Sequence, residues 1–455
     1  MNVYSLIFSL IVTAPWSLPA ASSMPEAPAA DSSTPASSTP ASSSAVSATD
    51  LSSEAGSLPP ADDRAVRPET REDALPSRSA FVPDPQALAA RLHDLSDALG
   101  VPYDLLLRGR EGIEALSARR YGPAEEIFRD LTERYPESAV GPFGLVLLAQ
   151  SEMGENRDFS KEAAYLEALE LADTRARQAL RRGEAKAFNH FMRGCVLGIN
   201  AIYLYRKDQV MGALRDGWRG LGALEKAGAL EPSFVDPQLG LGIYDYWRSV
   251  LTQRYKYLPG FPDKREEGLR KMYRAAHEGV FTPGLARLSL IYTFMEDRRS
   301  ADALPIAEEL RAAYPRNVLN LEVLGRLYER GGRKKDARAC YLEILAIAPE
   351  SYMPYYLLGN LEYRRGGNLK KAREYYQQYI AVQSGTVYQT NAHVRLGDVY
   401  WLLGDKEEAM REWRTALREN PEHRLAKRRV EVGSRPRARA KRRPRRRTAR
   451  EVSTP

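Results

Sequence analysis

Cysteine is scarce in this chain: Cys195 and Cys340 stand 145 positions apart among 455 residues. So few cysteines exclude a disulfide framework, and we interpret both as buried apolar residues of different helices. The five histidines are scattered, and none has a second histidine, a cysteine or a glutamate at zinc-ligand spacing. No nucleophile stands beside an oriented base, and no phosphate-binding glycine loop follows a strand. The sequence therefore predicts no metal, no cofactor and no catalytic activity.

Long apolar runs are also missing, except for one at the N-terminus. Residues 3–12 are apolar, Pro15 interrupts them, and Ala20-Ala21-Ser22 supplies the small residues of a cleavage site. We therefore interpret 1–22 as a signal peptide and expect a periplasmic or otherwise extracytoplasmic protein of the bacterial cell envelope. No lysine or arginine precedes the run, so an uncleaved anchor and a cytoplasmic location stand as alternatives.

Aromatic residues are absent from Ser17 to Ala80, where Ser, Thr, Pro and Ala dominate. Such a segment buries too little apolar area to offset the entropy lost on ordering, so 23–80 is predicted to be a disordered linker. It acts either as a spacer or as a tether with no selected role. In 81–104, Leu88, Leu92 and Leu95 recur at helical spacing and predict a leading cap helix.

Acidic residues nearly vanish at the other end of the chain. Between Arg424 and Arg450, 14 Lys or Arg residues face only Glu431, a charge of +13, so the remainder of the chain carries −5. Self-repulsion predicts a disordered basic tail over 424–455. Guanidinium groups bind phosphate and carboxylate, so the expected ligands are anionic envelope polymers, lipid headgroups or, in the cytoplasm, nucleic acid. The residues predicted to contact such polyanions are Arg437, Arg439, Lys441, Arg442, Arg443, Arg445, Arg446 and Arg447.

What the chain does contain is a recurring pattern in its second half. Ala303, Ala337, Ala372 and Ala409 follow one another at intervals of 34, 35 and 37 residues. Each of the last three is preceded by a Leu-Gly pair and followed by aromatic or aliphatic residues. The three copies read Leu324-Gly325 with Tyr341, Ile344 and Pro349; Leu358-Gly359 with Tyr376 and Tyr379; and Leu396-Gly397 with Trp413, Ala416 and Pro421.

This period is typical of stacked helical hairpins. Glycine in the first helix and alanine in the second let two backbones approach, and proline ends the second helix. The pattern resembles the tetratricopeptide repeat family. The resemblance implies an all-α, right-handed superhelical solenoid of antiparallel helix pairs, with regular repeats over 284–423 and degenerate ones over 105–283.

The middle of the chain departs from the regular period. Pro232 lies 19 residues after Ala213, whereas Pro349 lies 12 residues after Ala337. About two extra helical turns would absorb the difference. Residues 188–345 are also, more faintly, similar to the tetratricopeptide repeat protein 39 and Iml2 group, a similarity that implies no chemistry.

In the resembling family, the first helix of each repeat lines the concave side and selects the ligand. We therefore expect a non-catalytic scaffold that holds a protein or peptide in a concave groove. The polyanion-binding tail is the alternative function. The groove residues that the register predicts are Tyr292, Arg326, Tyr356, Asn360, Tyr363, Asp398 and Trp401.

The tail hypothesis makes a direct prediction. The full-length chain should elute from heparin at a higher salt concentration than a chain ending at Glu422, because the segment 424–450, with its charge of +13, lies beyond that residue. Equal elution of the two proteins would contradict electrostatic binding by the tail.

Overall fold

The computed structural model describes residues 85–254, 262–364, 367–382 and 387–434. Within them the chain forms eighteen α-helices and no β-strand. The bounds are α1 Pro85–Leu99, α2 Tyr103–Ser117, α3 Tyr121–Arg134, α4 Val140–Asn156, α5 Glu162–Arg182, α6 Lys186–Arg206, α7 Val210–Leu230, α8 Gln238–Arg254, α9 Arg265–Glu278, α10 Pro283–Glu296, α11 Ser300–Ala313, α12 Val318–Arg330, α13 Lys334–Ile347, α14 Met353–Tyr363, α15 Leu369–Val382, α16 Val387–Leu403, α17 Lys406–Glu419 and α18 Arg424–Ser434.

Local sequence accounts for these helices. In α17, Ala409, Trp413 and Ala416 form the buried stripe at helical spacing, while acidic side chains occupy the first turn and Arg418 the last. The N-terminus of α12 is capped by Asn317, whose side chain accepts a hydrogen bond from the Asn320 backbone N–H. These signals lie in the printed sequence and need no distant contacts.

The helices pair into eight antiparallel hairpins, from α2–α3 to α16–α17, with α1 in front and α18 behind. Each hairpin packs mainly on the next one along the chain. The predicted all-α, right-handed superhelical solenoid is confirmed. Among the described helices, none combines the length and apolar character needed to span a bilayer. The predicted signal peptide and linker lie outside the described residues.

Small residues set the distance between the two helices of each regular hairpin. A Cβ atom on Gly325 would stand 2.5 Å from the ring of Tyr341, and one on Gly397 would stand 2.5 Å from that of Trp413. The matching alanine of the second helix, Ala337 or Ala409, is completely buried. The close approach that the sequence pattern predicts is therefore present in these hairpins.

Longer hairpins form the middle of the array. Helices α5, α6 and α7 have 21 residues each, whereas α13 has 14. The seven additional residues of α7 make about two helical turns, which is the length that the spacing of Pro232 requires.

The first hairpin returns to meet the fifth and sixth, so the superhelix closes after one turn. Arg91 donates to the carbonyl of Glu278 at 3.0 Å, and Arg110 donates to that of Val280. At the far end of α2, Asn317 donates to the carbonyl of Ser117 at 2.8 Å. Nothing in the repeat pattern indicates these contacts, because they join residues 170 to 200 positions apart.

The helical array continues past residue 424, where the basic tail was predicted to begin. Helix α18 packs onto the last hairpin through Ala426, which is completely buried, and Arg429 pairs with Asp398. A chain ending at Glu422 would lose this helix, so a cut after Ser434 isolates the tail more cleanly. The eight predicted polyanion-binding residues lie outside the described residues.

The close packing between the two helices of a hairpin predicts the effect of adding one methyl group there. Gly325→Ala should lower the free energy of unfolding by about 1–3 kcal/mol, because Tyr341 has to shift to admit it. Gly122→Ala is the matched control, since a Cβ there meets no atom within 4 Å. Urea denaturation followed by circular dichroism tests the pair, and equal midpoints for the two variants would contradict this packing.

Candidate partner-binding surface

The seven predicted groove residues all lie on first helices of the last four hairpins. Tyr292 is on α10 and Arg326 on α12, while α14 and α16 carry the other five. Asp398 is buried, and the others are half-buried. The structure therefore places them along one wall of the superhelix, and their role in binding a partner stays a prediction.

The chain itself occupies the middle of this wall. Arg157, which ends α4 in the left-handed region with φ of 56°, reaches across and pairs with Glu322 of α12. Its guanidinium also lies 5.1 Å from the ring centroid of Tyr388. The next residue, Asp158, accepts a hydrogen bond of 2.9 Å from the Tyr352 hydroxyl. A partner cannot reach this part of the wall while these contacts hold.

Glu322 pairs with two arginines in this contact, Arg157 and Arg326. Burial raises the pKa of its carboxyl, but Arg157 and Arg326 outweigh burial and hold the pKa below its usual range. Arg326 lies 2.7 Å from the same carboxylate oxygen, so its guanidinium is already engaged. Nearby, burial raises the pKa of Tyr292 to about 12, which keeps its hydroxyl protonated.

Tyr356 and Asn360 are also used within the chain. The Tyr356 ring packs against those of Tyr379 and Tyr388, with centroids 5.3 and 5.6 Å apart. The side-chain oxygen of Asn360 accepts a hydrogen bond of 2.8 Å from the Tyr376 hydroxyl. These two side chains support the stacking of α14 on its neighbours, and a partner would have to displace those contacts to use them.

Helices α14 and α16, together with the start of α17, offer a more open surface at the end of the wall. We call it the C-terminal patch and define it as Tyr363, Arg364, Arg395, Trp401 and Lys406. The Arg395 guanidinium lies 5.3 Å from the Tyr363 ring, and the Lys406 ammonium lies 5.2 Å from the Trp401 ring. The side chain of Arg364 is 56% exposed. Cations stacked on aromatic faces therefore line this end of the wall.

The acidic groups beside the patch are paired. Asp398 accepts two hydrogen bonds from Arg429, at 2.7 and 3.1 Å, and a third from the Tyr363 hydroxyl at 3.2 Å. Glu329 accepts from the Tyr341 hydroxyl at 2.7 Å and lies 2.9 Å from Arg364. The carboxylate of Asp398 joins α18 to the last hairpin, and its predicted contact with a ligand stays a prediction.

Other side chains that could react are buried or paired with a neighbouring side chain. Burial raises the pKa of the Cys340 thiol to about 11, and the two cysteines form no disulfide. His393 contacts Glu412: its Nδ1 atom lies 2.6 Å from a carboxylate oxygen of that residue. In the part of the chain that the structure describes, no three His, Cys, Asp or Glu residues are grouped so as to hold a metal ion.

Two features of the site were not predicted from the sequence. Arg157 belongs to a repeat far from the groove in sequence, and only the closure of the superhelix brings it there. The first turn also encloses an apolar cavity, lined in part by glycines in the interiors of α6, α7 and α8. Those glycines were the available signal, because glycine is unfavourable within a helix unless close packing or open space requires it.

Comparisons with known proteins agree with this architecture. Models of the tetratricopeptide repeat match residues 288–352, 355–383 and 390–423. No curated protein matches the sequence, and the fainter similarity of 188–345 stays a prediction.

Solved structures also show the fold. The APC/C hetero-tetramer Cut9–Hcn1 aligns with a TM-score of 0.50 at 14% identity, over 76% of this chain. The chain spans 58% of the length of that protein. Yeast Tom70 aligns with a TM-score of 0.40 at 12% identity, over 76% of this chain and 84% of its own.

The buried pair predicts a pH-dependent loss of stability. Glu322→Gln should lower the free energy of unfolding by about 3 kcal/mol at neutral pH, because it removes a buried carboxylate and leaves the half-buried Arg157 without it. The pKa of Glu322 is depressed in the folded protein, so its stabilisation is present above the unfolded value of about 4.3. It is lost as the pH falls through the folded value, and wild type and variant should converge in acid.

Glu350→Gln serves as the control for Glu322→Gln. Glu350 also contributes to the closure, through a 2.8 Å contact with Arg119, but its side chain is 66% exposed. Its loss should change the free energy of unfolding by less than about 1 kcal/mol. Equal effects of the two substitutions in urea titrations would refute the assigned role of Glu322.

Proposed function

Because three stretches between residues 288 and 423 are tetratricopeptide repeats, we propose that this chain is a non-catalytic scaffold that binds a protein partner. The binding site is the C-terminal patch and not the whole predicted groove. The observation that carries this proposal is the contrast along the wall. Arg157 and Asp158 cover its middle, whereas Arg364 is 56% exposed at its end.

The chemistry of the patch selects the kind of partner. Arg395 and Lys406 bring positive charge, the carboxylate of Asp398 is paired with Arg429, and the exposed guanidinium of Arg364 pairs with Glu329. The rings of Tyr363 and Trp401 offer flat apolar surface between the cations. An extended acidic segment carrying one or two large apolar side chains fits this arrangement.

The place of action follows from the N-terminal sequence. A scaffold exported by the segment 1–22 and held by the linker 23–80 would work in the bacterial cell envelope. The basic tail supports the second function, because its 14 Lys and Arg residues against Glu431 and Glu451 leave a charge of +12, which suits binding to an anionic polymer or lipid headgroups of that compartment. Binding by the tail could hold the scaffold near a surface while the patch binds its partner.

The partner can be captured from the native cell by a photo-crosslinker placed at residue 364. With the captured protein purified, Trp401→Ala combined with Arg395→Gln should weaken its binding at least tenfold, because the variant loses one ring and one cation. Arg411→Gln is the control, since that side chain is 68% exposed on α17. Isothermal titration calorimetry gives the affinities.

A chain ending at Ser434 separates the two functions. Partner affinity should be unchanged without the tail if the patch is the binding site. Loss of partner binding on removal of the tail, together with an unaltered affinity of the patch variant, would overturn the proposal in favour of the tail.

A further inference from the structure

The first turn of the superhelix encloses an apolar cavity of about 340 Å³. First helices α2, α4, α6, α8 and α10 contribute to its wall, together with α7. Its volume lies within the range of small-molecule sites in proteins, about 300–1,000 Å³. Side chains facing such a space lose dispersion contacts that a bound molecule would restore. Representative side chains of the wall are Phe143, Phe191, Met192, Ile202 and Leu239.

The polar groups of the wall serve the fold. Asp236 accepts hydrogen bonds from the backbone N–H groups of Val280, Phe281 and Thr282, at 3.0, 2.7 and 2.8 Å. The Thr282 hydroxyl donates to the same carboxylate at 2.8 Å. A peptide in this cavity would bury N–H and C=O groups against apolar side chains, which is strongly unfavourable. A hydrocarbon chain carries no such penalty.

One glycine of the wall has no packing reason to be glycine. Gly194 and Gly240 admit Leu224, whose side chain would stand within 2.6 Å of a Cβ at either position. Gly198 is different, because a Cβ there would meet no atom within 4 Å. Glycine lowers the stability of a helix interior relative to alanine, so its presence at Gly198 keeps space in the cavity at the expense of α6.

Two large apolar side chains of the cavity wall are exposed to solvent. Trp218 of α7 and Leu285 of α10 both line it, and they are 48% and 57% exposed. The Trp218 ring packs edge-on against that of Tyr244, with centroids 5.9 Å apart. An apolar molecule that enters the cavity past these two residues would cover apolar surface that is now exposed.

We propose that this cavity binds the hydrocarbon chain of a fatty acid or lipid, which enters between Trp218 and Leu285 with its polar head left in solvent. The volume of the cavity, the glycine at position 198 and the exposed side chains of Trp218 and Leu285 are separate observations. The C-terminal patch takes no part in this binding, so the two sites can be tested independently.

The test is a fluorescence titration of the delipidated full-length chain with cis-parinaric acid. Wild type should bind the probe saturably at one site. Gly198→Phe should weaken binding at least tenfold, because its ring would fill the space beside α6. Gly222→Phe is the matched control: Gly222 lies in α7 outside the wall, also with no atom within 4 Å of a built Cβ, and this variant should bind as wild type does.

Leu285→Gln provides a second variant at an exposed position, where folding is not at risk, and should also weaken binding. Displacement by palmitate, hexadecanol or lysophosphatidylglycerol distinguishes a free fatty acid from a lipid as the source of the chain. Absence of saturable binding by wild type would overturn the proposal, as would equal binding by the two glycine variants. Binding that appears only after removal of residues 1–22 would also overturn it, because the chain's own apolar segment would then be the occupant.

Discussion

The contact between the first hairpin and the fifth and sixth hairpins determines most of what this molecule can bind. Without it, eight stacked hairpins would present one continuous concave wall. With it, the first turn becomes a closed ring with an apolar interior, and Arg157 lies against the inner side of α12. The C-terminal patch lies beyond these contacts and carries the exposed Arg364.

The closure differs in chemistry from the stacking along the array. Neighbouring hairpins share buried apolar side chains, since one continuous cluster extends from Leu239 to Leu361. The closing contacts are hydrogen bonds and ion pairs, among them Arg119 with the carboxylate of Glu350. Exposed ion pairs add little stability and are weakened by salt, whereas a buried pair such as Arg157–Glu322 tolerates no missing partner.

The structural features that could be predicted from the sequence are those that depend on residues within one repeat. The Leu-Gly and Ala positions gave the hairpins of 284–423, because a small residue at a helix seam is a local requirement. The spacing of Pro232 gave the length of α7. The groove residues were assigned to the right helices by the same register. Their surroundings were not predictable, since Arg157 and Tyr388 are more than 200 positions apart and no local pattern relates them. Helix α18 lies within the segment 424–455 that was predicted to be disordered, and one reason is again a distant contact: Arg429 pairs with Asp398 of α16, which lies outside that segment.

Closure of the ring is tested most directly by a crosslink across it. Arg120 and Glu350 are exposed residues at the two sides of the contact, where Arg119 lies 2.8 Å from Glu350. A chain with Arg120→Cys and Glu350→Cys, treated at high dilution with a short bismaleimide, should form an intramolecular crosslink that peptide mass spectrometry locates between the two positions. Failure of this pair to crosslink in the folded monomer, with each single variant still labelled, would show that the superhelix is open and would contradict the account.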